Sequence, residues 1–140
     1  MVQIPEEALT LILKNRNLVL VGSVDGKGIP NISPRFVLAV EGNEKLLFGD
    51  AFMNKTFSNL STWKKATVAI LDRDNMGGYQ LKGDAVEVTN PDIVAQASAK
   101  LRGYGIDVKS PERVWTLNVK EVYTLRPDSK SKLPLISAYE

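Results

Sequence analysis

Lys55 and Thr56 are the side chains best placed in this sequence to do chemistry, and the chemistry their setting suggests is the holding of an anion. They lie in the stretch Lys45 to Leu60, KLLFGDAFMNKTFSNL, where a short strand stops and a helix begins. Leu46, Leu47 and Phe48 read as a buried strand end, Gly49 and Asp50 break it, and Asn54 is placed to cap a helix carrying Phe57 and Leu60 on one face. Lys55 and Thr56 then fall in the first turn, where unpaired backbone N–H groups and the positive end of the helix dipole favour Asp or Glu. No acidic side chain occurs between Ala51 and Leu71 to offset the lysine. An anion such as a phosphate group, set among the ammonium, the hydroxyl and the free amides, reconciles all three. Taken alone, the same residues are explained more simply by a solvated lysine costing about a few tenths of a kcal/mol.

The rest of the inventory narrows the field by what it lacks. There is no cysteine and no histidine, which removes thiolate nucleophiles, disulfides, imidazole acid–base chemistry and zinc sites built on Cys or His. The acids are scattered, so neither a metal site nor a catalytic side chain is assigned. A reaction on this chain would draw its reactive group from a cofactor. With 140 residues, 44% hydrophobic and 24% charged, the chain suits one domain with an ordinary core. The net charge of +2 is spread with both signs interspersed, which argues against a nucleic-acid partner chosen for charge. The opening residues MVQIPEEALTLILKN read as a surface helix started by Pro5, with Leu9, Ile12 and Leu13 as its buried stripe, and not as a signal peptide. No stretch approaches the roughly 20 apolar residues of a membrane span, so a soluble cytoplasmic protein is expected.

The elements that must position Lys55 and Thr56 are mostly strands. Asn17 to Val24 is an apolar run closed by the reversal Asp25-Gly26-Lys27-Gly28; the chain resumes at Pro30 and runs to Val40, and Lys45 to Phe48 returns. These form a three-stranded meander. Pro34 inside the second run implies an edge, a bulge or a point where the ladder opens. Further strands are predicted over Ala66 to Leu71, Tyr79 to Thr89 and Val114 to Leu125. Gly83 marks a bulge or sharp bend in the second of these. In the third, Trp115, Leu117, Val119, Glu121 and Tyr123 share one phase and Val114, Thr116, Asn118 and Lys120 the other. Asn90-Pro91-Asp92 starts a helix with Ile93, Val94, Ala97 and Leu101 as its apolar face, ending near Gly103. About six strands, short connections and no βαβ repetition predict a mainly β (α+β) fold, a six-stranded antiparallel split barrel with short flanking helices. A doubly wound nucleotide fold is disfavoured, because no GxGxxG follows the first strand.

Four pieces in order carry a resemblance to the flavin-mononucleotide-binding split-barrel family related to pyridoxamine 5'-phosphate oxidase: DGKGIPNISPRF, LLFGDAFMNKTFSNL, the pair TVAIL and GYQLKGDAVEV, and the closing KEVYTL. The resemblance spans about Leu18 to Leu125. It implies that residues 1–126 form one FMN-binding barrel domain; 127–140, with prolines and lysines among serines, read as a tail, flexible or packed on a partner. It implies FMN as cofactor, with Lys55 and Thr56 holding the phosphate. Arg35 would stand beside the cofactor, and backbone from Ser33 through Pro34 and Arg35 to Phe36 would line it. Phe48, Gly49 and Asp50 would pass the ring or ribityl chain, Asn59 would match a recurrent asparagine, and Gln80 and Lys82 would approach the ring edge or phosphate.

The resemblance also implies a homodimer with flavin sites at the interface, where Phe52 and Met53 would touch the partner or the ring, and a nicotinamide or other small-molecule electron donor. The sequence departs from the vitamin-B6 oxidase itself: it has no histidine and lacks the tryptophan–arginine arrangement near the C-terminal end. An FMN-dependent oxidoreductase or flavin reductase acting through flavin N5 is therefore expected in place of pyridoxamine phosphate oxidation. Two other readings use the same residues. One is a barrel module presenting Trp63, Tyr79, Tyr104 and scattered lysines to single-stranded nucleic acid, and the other is a flavin-storing, haem-binding or structural dimer. Trp63, Trp115 and Tyr123 are read as packing groups.

Overall fold

The computed structural model describes residues 1–50, 55–106, 113–128 and 133–139. Among the described residues three short helices and seven strands follow one another as α1 (Glu6–Lys14), β1 (Leu18–Val24), β2 (Pro30–Glu41), β3 (Lys45–Asp50), α2 (Lys55–Trp63), β4 (Lys65–Asp72), β5 (Gly77–Glu87), α3 (Pro91–Gly103), β6 (Arg113–Thr124) and β7 (Ile136–Ser137). The strands lie in the order β3-β2-β1-β4-β5-β6-β7, and a further β3–β6 pairing closes the first six into an antiparallel barrel. Among the described residues no helix is long and apolar enough to cross a membrane.

Alternation along the strands fills the barrel: Val19 and Val21, Val37, Leu46 and Phe48, Val68 and Ile70, Leu81, and Leu117 and Val119 all point inward and are buried. Ala8 and Ile12 of α1 and Leu60 of α2 complete this core. Leu13 does not join the stripe predicted for α1. In a helix that starts at Glu6, Ala8 and Ile12 are the i, i+4 pair facing the core, and Leu13 is 72% exposed. The other helix, α3, covers the outer surface of β2, β3 and β6 through Ala97 and Leu101 on Leu38, Leu47 and Val114. Its start is capped as predicted: the Asn90 side chain accepts the Asp92 N–H at 2.9 Å with Pro91 in the first turn. Asn90→Ala is expected to cost about 1 kcal/mol in urea unfolding.

Two irregularities shape the barrel. Among the described residues β3 pairs with β2 from Val37 to Glu41, and Pro30 to Phe36 are paired on one side, with β1. Pro34 sits in this open half, where a missing N–H is tolerated. The second lies opposite Gly83. Lys82 pairs with Glu121 but Gly83 pairs with Val119, leaving Lys120 as an extra residue in β6. The predicted phase of β6 therefore holds only as far as Val119; beyond the bulge the inward residue is Val122, and Glu121 and Tyr123 turn outward.

Candidate functional site

The open half of β2 and the first turns of α2 meet at one end of the barrel. Asn31, Ser33 and Arg35 share one face of β2. The Thr56 hydroxyl, buried beneath α2, accepts the Asn31 side-chain amide at 3.0 Å and lies 2.7 Å from the Ser33 hydroxyl. One turn further along, Asn59 is buried and donates to the Ser23 hydroxyl of β1 at 3.1 Å. Thus α2 meets the sheet through a polar row, Thr56 and Asn59, beside the apolar Leu60. Behind it, Arg35 donates from Nη2 to Asp50 Oδ1 at 3.0 Å and from Nη1 to the Pro34 carbonyl at 2.7 Å.

Lys55 stands outside this row with its side chain 59% exposed, 3.3 Å from the carboxylate of Asp25 in the β1–β2 turn. The acid that the neighbouring sequence lacks is supplied by a loop far away in the chain. The Asp25 carboxylate also accepts the N–H groups of Ile29 and Lys27, each at 2.9 Å. Those backbone bonds, Ile29 first, and then Lys55 hold its carboxyl below the ordinary range. The cap predicted at Asn54, with Phe52 and Met53, lies outside the described residues.

A groove of about 630 Å³ runs over the outer surface of β1, β2, β4 and β5. Gln80 and Lys82 line it, and so do Ser23 and Asn31, the two residues that hold Asn59 and Thr56. The groove and the polar row are therefore continuous. At Gly22 an added Cβ would stand 2.7 Å from Thr67 Cγ2, so the Thr67 methyl fills the place that a side chain there would take. Lys82 places its ammonium 4.5 Å from the centre of the Tyr123 ring.

Of the residues singled out in the sequence, Ser33, Thr56, Asn59 and Lys55 gather at the α2 end, and Gln80 and Lys82 lie along the groove. Pro34 is in the open half of β2, with Arg35 and Asp50 behind the polar row. Two side chains point elsewhere. Phe48 is buried in the barrel core, beside Gly49, which is also buried, and Phe36 stacks on Tyr104 at 4.1 Å on the α3 side. Asn31 was missed. The period-two spacing Asn31, Ser33, Arg35 is the signal that could have found it. Trp115 is buried, with Phe57 edge-on at 6.3 Å, whereas Trp63 remains 48% exposed.

A family model for pyridoxamine 5'-phosphate oxidase matches residues 4–126. No curated protein is detectably similar in sequence. Among solved structures, HupZ of Group A Streptococcus superposes with a TM-score of 0.74 at 26% identity, over 89% of this chain and 96% of its own. An FMN-binding protein from Syntrophomonas wolfei subsp. wolfei does so at 0.69 with 17% identity, over 85% and 84%. A haem-binding protein from Mycobacterium smegmatis does so at 0.63 with 20% identity, over 89% of this chain and 55% of its own. At these identities the last two share the fold.

Proposed function

The chain belongs to the pyridoxamine 5'-phosphate oxidase family, and from that premise we propose that it binds FMN in the groove and serves as a flavin-dependent oxidoreductase or flavin reductase for a small molecule. The observation that carries this reading is the convergence of Asn31, Ser33 and Thr56 at the mouth of a groove of about 630 Å³, a size within the range of small-molecule sites. The donor set fits the group. Two hydroxyls, a side-chain amide and the Lys55 ammonium suit a phosphate. Bound there, the flavin would supply the redox chemistry that a chain without cysteine or histidine lacks.

The chain's own part is to bind, orient and exclude water. Lys55 and Thr56 hold the phosphate, Gln80 offers an amide to the ring edge, and Lys82 puts a positive charge along the groove, which favours a ring that gains negative charge. Arg35, held on Asp50, keeps the inner row of β2 in register behind them. The outer surface of β1 and β4 leaves Leu18 and Leu71 exposed, as is Ile32 on β2, and a second copy covering it would make a homodimer with its sites at the interface. A reduced nicotinamide is the donor class to try first.

Titration with FMN tests the reading. Lys55→Ala should weaken binding about tenfold, the loss of one charge-assisted contact at an exposed site. Asp25→Asn should strengthen binding by about threefold, since it frees Lys55 of a competing anion while leaving an oxygen for the turn N–H groups. Equal affinity in wild type and Lys55→Ala would take the phosphate away from α2.

A further inference from the structure

Among the described residues, every one lining the groove belongs to the barrel strands except Tyr139. It arrives there through β7, which pairs with β6 over only two residues, Ile136 opposite Val122 and Ser137 opposite Glu121. Leu135 N–H donates to the Val122 carbonyl at 2.6 Å and Ala138 N–H to the Lys120 carbonyl at 2.7 Å. The Ser137 hydroxyl donates to the Glu121 carboxylate at 3.2 Å and accepts the Tyr139 N–H at 3.1 Å. That hydroxyl therefore fixes the backbone of the residue whose ring reaches the groove. The ring itself is 45% exposed and has the Lys65 ammonium 5.9 Å from its centre. Leu133 and Leu135 bury little, so apolar packing does not explain why the segment lies where it does. An aromatic ring half open to a groove is poorly used by a lone barrel.

We propose that Tyr139 is a ligand-stacking residue: carried by the β7 strap, its ring covers the planar ring system of the molecule in the groove and limits what can approach that ring. This rests on the flavin reading above and adds the wall opposite the strands. Face-to-face or offset contact between two planar π-systems favours a flat aromatic ligand over an aliphatic one of the same volume. The hydroxyl is not required for stacking, so Phe or Trp would serve, and Ala would not.

The test compares FMN with riboflavin, which has the ring and no phosphate, by fluorescence titration of the full-length wild type, Tyr139→Ala, Tyr139→Trp and Lys55→Ala. Tyr139→Ala should weaken both ligands to the same degree, about three- to tenfold. It should also raise the emission of bound flavin and its quenching by iodide, because a stacked ring that quenches and shields has gone. Tyr139→Trp should keep affinity and quench at least as strongly. Lys55→Ala should weaken FMN and leave riboflavin unchanged, which separates ring from phosphate. Wild type that binds neither flavin would end the flavin reading and this one with it. Wild type that binds FMN while Tyr139→Ala matches it in affinity, emission and iodide quenching would overturn the role of Tyr139 alone.

Discussion

Asp50→Ala is expected to lower the stability of the fold by about 3 kcal/mol, read as a shift of the urea midpoint at unchanged slope. The side chain of Asp50 is 1% exposed and that of Arg35 12%, with 3.0 Å between Nη2 and Oδ1. Two opposite charges at that depth hold a balance between lost hydration and mutual attraction. Removing the anion leaves the desolvation of the guanidinium and deletes what offset it. The value sits at the lower end of the range for buried pairs because Arg35 retains some solvent and a bond to the Pro34 carbonyl. Exchanging both residues together, Asp50→Leu with Arg35→Met, should recover most of the loss, because the pair is then replaced by apolar groups of similar volume. If instead the double variant is as unstable as Asp50→Ala, the penalty belongs to contacts other than this ion pair. The effect on FMN affinity should be smaller than that of Lys55→Ala, since Arg35 lies behind the Ser33–Thr56 contact and not at its mouth.

What the sequence discloses about this region follows the range of the forces involved. Short-range signals read correctly. Asn90 and Pro91 announce the start of α3 because capping is settled within three residues. Pro34 marks the open half of β2 because a missing donor is felt at its own ladder position, and the three-stranded meander follows from reversals a few residues long. Contacts between distant segments are not legible in this way. Lys55 looks unpaired along its own stretch, yet Asp25 reaches it across the barrel end. Asn31 acquires its meaning only when α2 lays Thr56 over it. The stripe of α1 held at Ile12 and Leu9 and failed at Leu13, whose place facing the core is taken by Ala8, a residue too small to stand out as apolar in the sequence. β7 gives almost no local signal, since its pairing to β6 involves two residues whose neighbours are exposed. Period-two reading of β6 failed beyond Val119 because one extra residue on one strand reverses every later side chain.

That extra residue gives the other large prediction: Gly83→Ala should destabilise the protein by roughly 3 kcal/mol or more, at the top of the range for overpacking. A Cβ at Gly83 would stand 1.9 Å from the Asn118 carbonyl oxygen, 2.8 Å from its carbon and 3.2 Å from Val119 Cα. All three are backbone, so no side chain can swing aside. Nor can the strands separate locally, because Val119 and Val122 are both fully buried and two inward residues three apart require the bulge at Lys120 to stay where it is. Deleting Lys120 would set Val119 and Val122 two positions apart, both inward without a bulge, so pairing that deletion with Gly83→Ala tests whether the close approach at Gly83 comes from the bulge. Gly103, with nothing within 4 Å of an added Cβ, is the control. Alanine there should be neutral or stabilise by about 0.5 kcal/mol through the unfolded chain. Gly83 also lines the groove next to Lys82, so whatever protein Gly83→Ala leaves folded should bind FMN less well. A Gly83→Ala protein with the wild-type urea midpoint would mean that β5 and β6 accept a different register, and with it a different arrangement of Gln80 and Lys82.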